Sequence, residues 1–202
     1  MKVKRVLELT VVYPALTIAI LGTVAIVRPC GHCCPRIHAN ESAAIATCRN
    51  IASAQMQFQC ALAVDLDGDG RGEAGTFREM SGYSILRRGA GPWRLDPPVL
   101  SGAFKHPSPE GEVTRSEYFF RILLPDGQGG WIVADTSALA RANVDASEEH
   151  WCAYARPSEF REGQTRTFFV DESGEVLATN RKAPLPLDRP PDIEAHGWRL
   201  VR

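Results

Sequence analysis

At 202 residues, 44% of them hydrophobic and 23% charged, the chain suits one globular unit of about 150 residues plus accessories. Its formal net charge of −1 excludes the basic footprint of a nucleic-acid binder, and nothing in the balance of charge points to a polyanionic partner.

Behind the basic start Lys2, Lys4 and Arg5, Leu9 to Val27 runs nineteen residues without a charge. At about 1.5 Å per residue that run crosses a hydrocarbon layer of about 30 Å, which predicts a transmembrane helix within residues 1–28. The positive-inside rule sets the N-terminus in the cytoplasm and the chain beyond Arg28 outside the cell (inner) membrane, held by the bilayer as a single-pass anchor. A cleaved secretory signal is the competing reading, but the apolar run is longer than such signals use and no small-x-small site follows it cleanly. Residues 29–39, with Pro29, Gly31 and Pro35, read as a linker that breaks the helix. Cys30, His32, Cys33 and Cys34 crowd into this linker and allow structural, zinc and thiol-redox readings, although four ligands so close in sequence surround one tetrahedral ion poorly.

An extracytoplasmic α+β domain is expected over residues 40–183. Asn40 is placed as an N-cap, Glu41 complements the helix dipole, and Ala44, Ile45, Cys48, Ile51, Ala52, Phe58 and Leu62 recur at three- and four-residue spacing through 40–65. That stripe predicts an amphipathic helix packed on a sheet, with Cys48 as a small core residue. The helix runs into DLDGDGRGE, residues 65–73, which sets four carboxylates and three glycines in nine positions. Counted as a calcium loop, Asp65, Asp67 and Asp69 take positions 1, 3 and 5, Gly70 takes the turn, Arg71 offers its carbonyl and Glu73 falls at position 9. Thr76 stands where an EF-hand needs a bidentate glutamate, so the loop is a partial one: a structural Ca2+ site completed by Glu73 or Glu79, or a solvated acidic turn.

Residues 81–111 are loose, with proline and glycine throughout. Beyond them 116–125, 130–137, 150–157 and 165–180 are short β-rich runs, the last folded into a hairpin at Asp171-Glu172-Ser173-Gly174, and together they predict an antiparallel meander. The tail 184–202 is too proline-rich to belong to the core. Outside the cytoplasm disulfides persist, and Cys60 with Cys152 is the pair to test first. Strand alternation also puts His150 and Cys152 on one face, as a Cys–His nucleophile would require. No phosphate loop, metalloprotease helix or serine elbow is present, and the chain reads as a protein that is not an enzyme.

The order of elements, together with residues 36–58, resembles the type IV pilins and the pseudopilins of type II secretion. Asn40, Glu41, Ala44, Arg49, Ile51, Ala54, Gln55 and Phe58 fall in the R-x-x-A-N-E-x-x-A-x-x-x-L-R-x-I-x-x-A-Q-x-x-F/Y pattern of many pilin-like bacterial proteins, with Cys48 where leucine is usual. The sheet region is similar to that of pilin-like proteins of unassigned function. The resemblance implies a single-pass structural protein, a subunit or accessory of a pilus or pseudopilus, with homologous pilin-like subunits as partners and Glu8 as the assembly residue. No glycine precedes the RVLELTVV frame, as a prepilin cleavage site would have it. The alternative is a membrane-tethered extracytoplasmic module that binds a ligand or partner without forming a filament.

Overall fold

The computed structural model describes residues 33–88, 91–180, 187–193 and 197–201. Two compact units divide the chain, residues 1–36 and 37–202; only Cys33–Arg36 of the first are described, and the second holds the sheet. The run Leu9–Val27, Glu8, Cys30 and His32 lie outside the described residues, and among those described no helix is long and apolar enough to cross a membrane.

Helix α1 spans Cys33–Cys60, so residues 33–39 are helical and not linker, and Asn40 lies inside the helix instead of capping it. Pro35 lies within this helical stretch. Asn40 Nδ2 donates instead to Glu117 Oε2 at 2.7 Å. The helix ends earlier than its apolar pattern suggests. Leu62 N donates to Gln59 O at 2.9 Å and Ala63 N to Phe58 O at 3.3 Å, a Schellman closure with Leu62 in the left-handed region at φ 47°.

The meander is seen, and it is larger than expected. Among the described residues seven antiparallel strands form one sheet: β1 (Glu112–Arg115), β2 (Tyr118–Pro125), β3 (Trp131–Val133), β4 (Cys152–Pro157), β5 (Thr167–Asp171), β6 (Val176–Thr179) and β7 (Arg199–Leu200). Strand β2 is its spine. Residues 118–123 pair with β4 along one side, while β1 and β3 share the other side, β1 opposite 118–121 and β3 opposite 123–125. Strands β4, β5, β6 and β7 follow in order, the β5–β6 hairpin turning where expected.

Alternation along each strand separates two apolar clusters. Phe120, Ile122 and Leu124 of β2, Ala153 and Ala155 of β4, and Phe168 and Val170 of β5 share a core with Ala44, Cys48, Ile51, Ala54 and Phe58 of α1. The alanines of β4 leave room for that helix. The other face carries Leu123, Cys152, Tyr154 and Phe169, and it is not left to solvent: Trp198 and Leu187, from the proline-rich tail, cover it. The tail therefore contributes to a core, against the expectation from its composition. Its backbone is also tied down, since Arg189 O accepts from the Tyr154 hydroxyl at 2.7 Å.

The loose region 81–111 has no strand among its described residues, but it packs. Leu86, Leu100 and Phe104 are buried, and Met80 O accepts from the N–H groups of Val99 and Leu100, both at 3.0 Å. Two short α-helices, α2 (Phe77–Met80) and α3 (Val144–Glu149), and two 3-10 turns, Gly102–Phe104 and Ser137–Arg141, lie in the connections.

Candidate metal centre

The acidic loop is built by its own side chains. Asp65 accepts from Gly68 N at 2.8 Å and Gly70 N at 3.3 Å, Asp67 from Asp69 N at 3.2 Å, and Asp69 from Arg71 N at 2.8 Å. Each bond satisfies a backbone donor that a tight turn would leave bare. Gly70 sits at φ 87°, a conformation that suits glycine at the turn. Gly72 answers a different need: a Cβ there would lie 2.4 Å from Gln59 O, so the loop leaves by grazing the end of α1. The result brings one oxygen each from Asp65, Asp67 and Asp69 within 4.8 Å of one another. Two oxygens facing each other across a calcium ion lie about 4.6–5.2 Å apart, so one cation could reach all three.

Glu73 lies beneath the loop at 1% exposure. Its Oε1 accepts from Leu66 N at 2.8 Å, while Oε2 is buried without a hydrogen-bond partner. It does not join the three aspartates at ligand spacing. Glu79, the other sequence candidate, is engaged elsewhere: Oε2 accepts from Thr76 N at 3.0 Å in a capping box, and Oε1 pairs with Arg87 Nε at 2.9 Å.

Helix α3 supplies the carboxylates that the sequence did not assign to the loop. Asn143 caps it, accepting from Ala146 N at 3.0 Å, and Asp145 and Glu148 come within 4.8 Å of each other and of Asp67. The two groupings share Asp67. Glu148 is anchored on one side only: Oε2 meets Arg71 Nη1 at 3.2 Å, and Oε1 is buried with no partner although the side chain is 4% exposed. A buried carboxylate oxygen calls for a donor or a cation, because desolvation without a partner costs stability. Burial, then Asp69, pushes the Glu148 carboxyl up from its ordinary range, with Arg71 opposing and Asp67 and Asp145 adding to the rise. Arg71 also reaches Glu149 Oε1 at 3.2 Å, so its exposed guanidinium faces α3. Three elements meet at this corner, since Gln59 Nε2 of α1 donates to Glu148 O at 2.7 Å and Ala74 N donates to Ser147 O at 2.8 Å.

The other residues weighed for chemistry are kept apart. His150 Nδ1 lies 3.0 Å from Glu172 Oε1, and Cys152 is buried on the tail-covered face with its thiol pushed up by burial and by Asp171, so no Cys–His pair forms. Cys60 and Cys152 are both free thiols. Cys60 is exposed at the end of α1 on the helix side of the sheet, where it lines a pocket with Trp151, whereas Cys152 points to the opposite face. The sheet separates them. Cys48 is fully buried, as its place on the stripe predicts, and burial pushes its thiol up to about 12.

No family model, curated protein or solved structure matches the chain.

Proposed function

We propose that the chain is a single-pass, membrane-anchored pilin-like structural protein, a subunit or accessory of a type IV pilus or a type II secretion pseudopilus. One observation carries the reading: residues of 36–58 that resemble the pilin segment are those that fasten α1 to the rest of its unit. Glu41 Oε1 accepts from Arg166 N at 3.0 Å, and its Oε2 accepts from Nε and Nη2 at 3.1 and 2.9 Å. Gln55 exchanges two bonds of 2.8 Å with the backbone of Gly75, and Ala44, Ile51, Ala54 and Phe58 fill the core. A filament subunit must carry load from its helix into its head. A junction of packed apolar groups and buried, fully paired polar ones resists bending better than exposed ion pairs would.

On this reading residues 9–27 anchor the chain in the inner membrane, the bilayer is its first partner, and Glu8 meets the N-terminal amine of a neighbouring homologous subunit. N-terminal sequencing of the protein recovered from membranes tests it, with a trimmed and methylated terminus expected. An intact Met1 would end the assembly reading and leave the alternative, a tethered extracytoplasmic module that binds a ligand or partner.

A further inference from the structure

We propose that loop 65–73 and helix α3 together bind one divalent cation, calcium by the chemistry of its ligands, and that Glu148 of α3 closes the shell left open at Thr76. Three aspartates in a turn, Asp67 and Asp69 of them exposed, would not carry this by themselves. Glu148 does: its side chain is 96% removed from solvent, counting from its 4% exposure, and Oε1 has no hydrogen-bond partner while the carboxylate stands within 4.8 Å of Asp67 and Asp145. An oxygen so placed costs stability unless a cation or a water outside the chain meets it.

Charge points the same way. Residues 65–73 and 144–149 hold seven carboxylates, at 65, 67, 69, 73, 145, 148 and 149, against the single Arg71, in a chain whose net charge is only −1. Arg71 reaches Glu148 Oε2 and Glu149 but leaves Oε1 unmet. The donors are all oxygen, which selects a hard cation; their irregular placement from two segments suits the six to eight flexible ligands of calcium more than the strict octahedron of magnesium. Asp67 belongs to both groupings, with Asp65 and Asp69 in the loop and with Asp145 and Glu148 on α3, and the proposed shell is drawn from these carboxylates and the Arg71 carbonyl. The ion would join the end of α1, the loop and α3, which already touch through Gln59 and Ala74. This inference is independent of the membrane anchor and of filament assembly.

The test is calcium alone, titrated calorimetrically into the chelator-stripped full-length chain, with thermal unfolding in parallel. Saturable binding and a rise in Tm are expected at calcium concentrations where magnesium gives neither. Asp67→Asn, at an exposed position, should abolish binding, and Glu148→Gln should weaken it at least tenfold. If Glu148→Gln does not fold, Asp145→Asn, also exposed, takes its place with a smaller loss expected. No saturable heat and an identical Tm in chelator and millimolar calcium would overturn the site. Calcium bound with wild-type affinity by Glu148→Gln, or by Asp145→Asn where that stands in, would overturn the role of α3 and return the ion to the loop alone.

Discussion

Asp135 shows how far one side chain can hold a local structure and what that costs. It is buried between α2 and β3, and its carboxylate accepts from Phe77 N at 2.8 Å and Arg78 N at 3.2 Å, capping a helix only four residues long. Burial pushes its carboxyl up to about 6, against the pull of those two N–H groups, and Glu79 adds to the rise. A carboxyl whose folded pKa lies above its unfolded value of about 3.9 stabilises in its protonated form. Its contribution is therefore complete below pH about 4 and is lost as pH climbs through about 6. Asp135→Asn keeps one acceptor and does not titrate. Urea midpoints from pH 4 to 7 should fall more steeply for the wild type than for the variant, and parallel profiles would refute the assignment. Two residues of segment 36–58 show the same scale: Glu41 and Gln55 are the polar pins of α1 and sit buried, each with its partners met.

Among the elements, α1 lines one face of the sheet, and its C-terminal turn holds a non-glycine residue at positive φ. The Schellman closure needs a residue in the left-handed region, and the chain puts Leu62 there, 39% exposed and packing little. A side chain with a Cβ loses about 1 kcal/mol in that conformation. Leu62→Gly should raise stability by about 1 kcal/mol, seen as a rise in Tm of about 2–4 °C for a domain this size. A fall in Tm would show that Leu62 packs more tightly than its exposure indicates. The same turn feeds directly into the acidic loop, so its rigidity bears on where Asp65 is presented.

At the scale of the whole unit 37–202, the sheet is a middle layer among the described residues. Helix α1 covers one face; the tail, through Leu187 and Trp198, covers the other. Trp198 lies 6.0 Å from Phe169 and 6.1 Å from Tyr154, ring centre to ring centre, at 5% exposure. Truncating a buried aromatic residue costs about 3–5 kcal/mol, and the lack of a partner for Trp198 Nε1 puts this case at the lower end. Trp198→Ala should lower Tm by about 6–12 °C and expose the Leu123, Cys152, Tyr154 and Phe169 face to a hydrophobic dye. An unchanged Tm would mean that the tail is an accessory after all.

Local patterns are legible in the residues themselves. The alternation in β2, β4, β5 and β6, the turn at Asp171–Gly174, the buried stripe of α1 with Cys48, and the glycines and aspartates of the loop are each written within a few neighbouring residues, because backbone periodicity and turn chemistry act at that range. What those patterns leave open is which surface lies opposite. The start of α1 ahead of Asn40, the division of Cys60 from Cys152 by the sheet, the burial of Trp198, and the approach of Glu148 to Asp67 across 81 residues of chain all depend on that. Residues 65–73 by themselves determine a turn that concentrates negative charge; only the folded chain decides that α3 meets it with one carboxylate oxygen buried and unpaired, because burial is a property of packing and not of sequence distance.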